Sequence, residues 1–172
     1  MAKKDGITFI VVTILMVAGG FRAEWGVLLG CPWWTHLTFH FVHGNVFHLL
    51  CNLFALFMFC RSGRFRPTDW LLGLAFATAF SFIIPTRTPL VGFSGVLMYC
   101  LGLAIPSVWR YRKARISMYL FLIISAASLF FNQWAAFFLH ALCVAAGILT
   151  TKTKETIHDI KDQEERTHGR GG

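Results

Sequence analysis

WAAFFLHALCVAAGIL, from Trp134 to Leu149, holds no charged residue and a single histidine, His140. As a helix it would run roughly 24 Å at about 1.5 Å per residue, slightly short of a hydrocarbon core of about 30 Å. On its own such a run also suits the buried helix of a soluble protein. Five more precede it: Gly6–Gly20, Val46–Cys60, Trp70–Ile84, Leu90–Trp109 and Ile116–Phe131. Six in succession, with charge confined to the stretches between them, point to an all-α membrane protein with six spans.

Composition agrees. Of 172 residues, 56% are apolar and 14% charged, against about 45–50% and about 25% in soluble domains. The mean hydropathy is +0.60. An ordinary cytosolic domain, a disordered tail and a nucleic-acid binder are excluded, although the net charge is +8. That charge is a topology signal. With the N-terminus inside, the inner segments hold Lys3 and Lys4; Arg61, Arg64 and Arg66; Arg110, Arg112, Lys113 and Arg115; and Lys152, Lys154, Lys161, Arg166 and Arg170. Only Arg22 and Arg87 fall outside, so the positive-inside rule places both termini in the cytoplasm. Trp33, Trp34, Trp70, Trp109 and Trp134 stand at segment edges, where interfacial aromatics belong.

Between the spans, the outer loops are unequal: a long one, Phe21 to Asn45, rich in Trp, Gly and His; a Pro/Thr turn, Pro85 to Gly92; and Asn132-Gln133 alone. Residues 1–150 form one membrane domain. The polar tail, 151–172, is expected as a short cytoplasmic helix or disorder. Lys3-Lys4-Asp5 followed by Ile7 to Ala18 has the pattern of a signal peptide, but the charge distribution works best with this segment kept as a first span. Four of five cysteines (Cys51, Cys60, Cys100, Cys143) lie in apolar runs and Cys31 in a loop, so no disulfide framework is indicated.

Polar side chains inside spans are costly and therefore informative. Ser81, Ser125 and Ser128 read as serines bonding back to their own helices. His48 and Asn52, four apart, share a helix face. Ser94, in Val91-Gly92-Phe93-Ser94-Gly95-Val96, is expected to open the fourth helix, where unpaired amides and the positive dipole end face any oxygen it attacks. Gly92 and Gly95 would let backbone approach a bound carbonyl closely. His140, about 9 Å inside the outer end of its span, could take the Ser94 proton as general base. No Asp or Glu occurs between Asp69 and Glu155, and the outer side holds only Glu24. A Ser–His dyad therefore remains rather than a triad. His48, Asn52 and the Ser94 amide would be the oxyanion donors.

These residues resemble the motifs of the rhomboid intramembrane serine proteases. His43 five residues before His48-x-x-x-Asn52 is similar to their second-span signature, Gly92-Phe93-Ser94-Gly95 to their GxSG with Gly102 following, and His140 with Gly147 to the sixth-span motif. The resemblance runs from about Trp34 to Gly147. It implies a six-helix bundle with a water-filled cavity open to the outside, Ser94 as nucleophile, His140 as base, and His43 as an auxiliary first-loop histidine. It also implies single-span membrane proteins as substrates, no cofactor, and the compact prokaryotic type in a bacterial inner membrane. Three positions depart from the family: Met98 where an aromatic packs on the catalytic histidine, Leu139 where a small residue precedes it, and Cys143 where glycine follows. The last predicts looser packing of spans four and six.

Rival readings are a metal site, a non-catalytic binder of membrane helices on the same fold, and a small transporter. His36, His40 and His43 would share a face if helical, with Cys31 near, but no carboxylate accompanies them as ligand or outer partner. The binder reading meets an intact Ser94 and His140. The transporter reading lacks repeated halves with broken helices.

Overall fold

The computed structural model describes residues 3–109, 111–127 and 133–168. Arg110, Ser128, Phe131, Asn132 and Arg170 lie outside them. Among the described residues the chain is helical, with one isolated antiparallel bridge, Val27–Leu90. In order come α1 (Lys3–Gly19), α2 (Thr35–Thr38), α3 (Val46–Ser62), α4 (Pro67–Ile83), α5 (Ser94–Val108), α6 (Arg112–Ala127) and α7 (Trp134–His168). Single 3-10 turns cover Ala23–Trp25 and Phe39–Phe41.

Each expected span corresponds to a helix. The helices α1, α4 and α6 begin three or four residues earlier than expected, and the end of the fifth expected span lies outside the described residues. The fourth and sixth differ in ways that bear on the site. The fourth, expected from Leu90, is helical only from Ser94. Leu90 is extended, exchanging backbone bonds with Val27 at 2.9 and 3.0 Å, and Gly92 takes φ +115, which a helix does not admit. The last runs unbroken past residue 150 to His168. Among the described residues its Trp134–Ile157 portion is the one single helix long and apolar enough to cross a membrane; Thr35–Phe41 with Val46–Ser62 qualifies as a pair bent by 82°.

The centre of the bundle is α5. Val96, Leu97, Met98, Tyr99 and Cys100 are all buried, and α3, α4, α6 and α7 pack on it. The α5–α7 contact is the most extensive among the described residues. A Cβ on Gly102 would collide with the Val144 carbonyl oxygen and come within 3.0 Å of Gly147 Cα, and one on Gly147 would collide with the Tyr99 carbonyl oxygen. The two backbones therefore touch, as small residues allow in membrane helices. Trp70, expected at an interface, is instead buried: α4 crosses α5 closely at Gly73, and the indole lies against Phe65 and Phe93.

Outward faces are apolar. Ile7, Ile10, Ile14 and Val17 form a helical stripe on α1 that is 55–61% exposed, while Met16 on its inner face is fully buried. Phe47, Leu50 and Phe54 on α3 are likewise exposed. Stripes of this size suit lipid rather than water.

The two ends differ. At one, the first loop is knitted to the second by Val27–Leu90 and by the Leu29 N–H to the Thr86 carbonyl at 2.8 Å. At the other, Gly63 (φ 64) closes α3 in the left-handed conformation. There Arg64 Nη1 donates to Ser107 Oγ at 3.1 Å and Lys154 Nζ pairs with Asp69 Oδ1 at 2.8 Å. Asp69 Oδ2 also accepts the Arg66 N–H at 2.8 Å, capping α4.

Two consequences are measurable by chemical unfolding in detergent. Gly102→Ala and Gly147→Ala each lower stability by about 1–3 kcal/mol, because the added methyl must push two backbones apart. Asp69→Ala, losing a cap and a partner together, costs about 1–2 kcal/mol. Lys154→Ala, whose side chain is half exposed, costs under about 1 kcal/mol.

Candidate active site

Ser94 is the first residue of α5, and its level in the bundle follows from its neighbours. A Cβ on Gly95 would lie 3.2 Å from Ala77 and 3.3 Å from Leu139. The helix thus begins level with Ala77, six residues short of the end of α4 at Ile83, or roughly 9 Å below it. His140 lies six residues into α7, at roughly the same depth. The segment before Ser94 therefore dips into the bundle, and the Gly92 N–H is held by the Phe39 carbonyl of the first loop at 2.8 Å.

At this level His140 Nε2 meets Ser94 Oγ at 2.7 Å. Its other ring nitrogen, Nδ1, meets Ser125 Oγ of α6 at 2.6 Å. Both nitrogens of the histidine thus have hydroxyl partners from different helices. At the opening of α5 the Phe93 carbonyl accepts the Val96 and Leu97 N–H groups at 3.1 and 3.2 Å, and the Ser94 and Gly95 amides precede the helical ladder.

The α3 residues stand on the other side of Gly92. A Cβ there would fall 2.7 Å from His48 Nε2 and 3.3 Å from Asn52 Nδ2. Glycine is required twice over, by its positive φ and by this approach. The Asn45 side chain caps α3 by accepting the His48 N–H at 2.8 Å, which fixes where His48 begins its turn. His48 Nδ1 accepts the Gly44 N–H at 3.5 Å, an arrangement compatible with a proton on Nε2, which is turned toward Gly92. Asn52 is buried, and its Nδ2 has no acceptor among the described residues. An amide donor kept buried and unpaired costs about 1–3 kcal/mol, so its retention calls for an acceptor supplied by something that binds.

His43 is buried beside His48, ring centroids 5.2 Å apart. Burial first, and the His48 ring second, push its pKa down to about 4, so it is neutral at physiological pH. His36 and His40 do not join it. His36 Nδ1 bonds Ser81 Oγ at 2.8 Å with its ring stacked on Phe82, and His40 Nε2 bonds Thr78 Oγ1 at 2.9 Å. These two pin the first loop to successive turns of α4, and no group of three or more metal-capable side chains forms among the described residues.

The three departures resolve individually. Met98 is buried in the core. Tyr99, next to it, stacks on Phe76 at 5.5 Å and donates to Thr150 Oγ1 at 3.2 Å, so it turns away from His140. Leu139 packs on Gly95. Cys143 is fully buried, and the looser packing expected of it is answered by the Gly102–Gly147 contact one turn further along.

Sequence reading brought Ser94, His140, His48, Asn52 and Gly92 to one place and missed Ser125. A signal for it existed: Ser125 stands seven residues before Asn132 and His140 seven after Gln133. In an antiparallel helix pair joined by a tight turn, such positions share a depth.

No curated protein matches the chain in sequence. Residues 30–154, nearly three-quarters of it, match the family model described as the Rhomboid domain, a stretch that takes in every residue of the site. The chain is an integral membrane protein and belongs to the rhomboid family.

Proposed function

We propose that the chain is an intramembrane serine endopeptidase working through Ser94 and His140. The observation that carries this reading is the 2.7 Å contact of Ser94 Oγ with His140 Nε2 at the opening of a helix. The buried, acceptorless Asn52 Nδ2 stands against Gly92, two residues before the serine.

The chemistry follows from these atoms. Ser94 Oγ attacks the scissile carbonyl carbon while its proton passes to His140 Nε2. Negative charge moves to the former carbonyl oxygen, which takes hydrogen bonds from Asn52 Nδ2, His48 Nε2 and the Ser94 amide. Donors already fixed in place stabilise that charge without reorganising. As the oxyanion collapses, His140 returns the proton to the leaving amine and an acyl-enzyme remains. A water, deprotonated in turn by His140, attacks the acyl carbon. The bond to Ser94 Oγ breaks, His140 returns the proton to Oγ, and the second product leaves as a carboxylic acid.

Six spans with cytoplasmic termini, in a bacterial inner membrane, complete the proposal. Its support is the separation of the two ends: the knitted loops at one, Arg64, Lys154 and their partners at the other. Helices of 15–17 residues would sit in a locally thinned bilayer. Substrates are single-span membrane proteins, whose helix must unwind locally to present a carbonyl at this depth.

Incubating the purified chain with a model transmembrane substrate tests the reading. Ser94→Ala and His140→Ala are expected to lower kcat by more than a thousandfold. Asn52→Ala should lower it about a hundredfold to a thousandfold with the fold intact. A fluorophosphonate should label wild type and not Ser94→Ala. Cleavage indifferent to Ser94→Ala would sink the mechanism; neither cleavage nor labelling by well-folded protein would favour a binder of membrane helices.

A further inference from the structure

His140 is bonded at both ring nitrogens, and only the Nε2 bond belongs to the mechanism above. If Nε2 is to accept the Ser94 proton, it must carry the lone pair, and the ring hydrogen of the neutral imidazole must then sit on Nδ1. The group facing Nδ1 is Ser125 Oγ, at 2.6 Å and from a third helix. In the opposite tautomer Nε2–H would point at Ser94 and no proton could leave the serine. Which tautomer prevails is thus set at Nδ1.

A serine hydroxyl is able to fill the acceptor role there. In a span it characteristically donates its hydrogen to a carbonyl of its own helix, which leaves the oxygen lone pairs to receive Nδ1–H. Ser125 is 7% exposed, so bulk water does not take its place. Once His140 is protonated, the same bond becomes charge-assisted and stronger. It therefore favours the transition state over the resting state, the condition for raising kcat rather than only tightening binding. No Asp or Glu occurs between Asp69 and Glu155 to do this instead.

We propose that Ser125 is a positioning residue for His140: its oxygen accepts Nδ1–H, holds the imidazole in the tautomer that can take the Ser94 proton, and steadies the imidazolium that forms. The inference rests on Ser94 and His140 being nucleophile and base. It replaces a two-residue reading with a Ser94–His140–Ser125 chain across α5, α7 and α6.

The test uses the full chain in detergent, as wild type, Ser125→Ala and Ser125→Thr. With a model transmembrane substrate, Ser125→Ala should lose about tenfold to a hundredfold in kcat at unchanged KM. Ser125→Thr, which keeps the hydroxyl, should recover most of it. Nitrogen-15 NMR of labelled histidine, with the His140 signal assigned by its absence from His140→Gln, should show Nδ1 protonated in wild type and in Ser125→Thr. Ser125→Ala should show mixed tautomers. Wild-type kcat and an unaltered Nδ1 signal in Ser125→Ala would overturn the proposal. So would equal losses in both variants with an unaltered signal, which would mark a packing role. If wild type itself cleaves nothing, the protease reading fails; the Nδ1 signal still decides whether Ser125 sets the tautomer.

Discussion

The backbone contact between α5 and α7 at Gly102 and Gly147 governs the geometry of the site. Gly95 and Gly102 are two turns apart on one face of α5, as His140 and Gly147 are on α7. Both helices run from the level of the site toward the basic end of the molecule, so a contact fixed at the lower glycines sets the spacing at the upper positions. With the Val144 and Tyr99 carbonyls already where a Cβ would stand, the helices cannot separate or slide without losing the most extensive packing in the bundle. The 2.7 Å between Ser94 and His140 is therefore a property of two helices, with no loop called on to hold it.

Polar groups at depth are governed by a second rule, that each must find its partner within the protein. His36 and His40 satisfy it with Ser81 and Thr78, three residues apart on α4. That pairing seats the first loop, whose Phe39 carbonyl then holds the Gly92 amide two residues ahead of Ser94. The histidine-rich loop acts as a clamp on the segment that dips, and its residues look like a ligand set only while they are read as a string. Among the described residues Asn52 Nδ2 breaks the rule, as do both ring nitrogens of His43 beside His48 and, elsewhere, His40 Nδ1, Thr13 Oγ1 and Asp5 Oδ2.

Much of this was legible in the residues. Runs of apolar side chains located the helices, and subtraction of carboxylates left Ser94 and His140 as the candidate dyad that the structure brings into contact. What sequence periodicity cannot give is which faces meet. Trp70 at a segment edge reads as interfacial, and only the close crossing at Gly73 turns it inward. Leu90 reads as the start of a span because its hydropathy is indifferent to a bridge with Val27, sixty-three residues earlier. Ser125 reads as a helix serine bonded to its own backbone, because nothing local to it names His140. The pairing emerges only when α6 and α7 are brought side by side.

The absence of carboxylates from the middle of the chain also bears on what kind of partner His140 can have. A carboxylate at Nδ1 would place a full negative charge in a low-dielectric bundle while the histidine is still neutral, and the desolvation would fall on the resting protein. A hydroxyl carries no such penalty. It offers less to the imidazolium than an anion would, but it asks nothing of the fold before the reaction begins. For α5 and α7, held together by backbone contact at Gly102 and Gly147, a site built without a carboxylate is the one the packing can support. Ser94, His140 and Ser125 meet that condition with side chains drawn from three different helices.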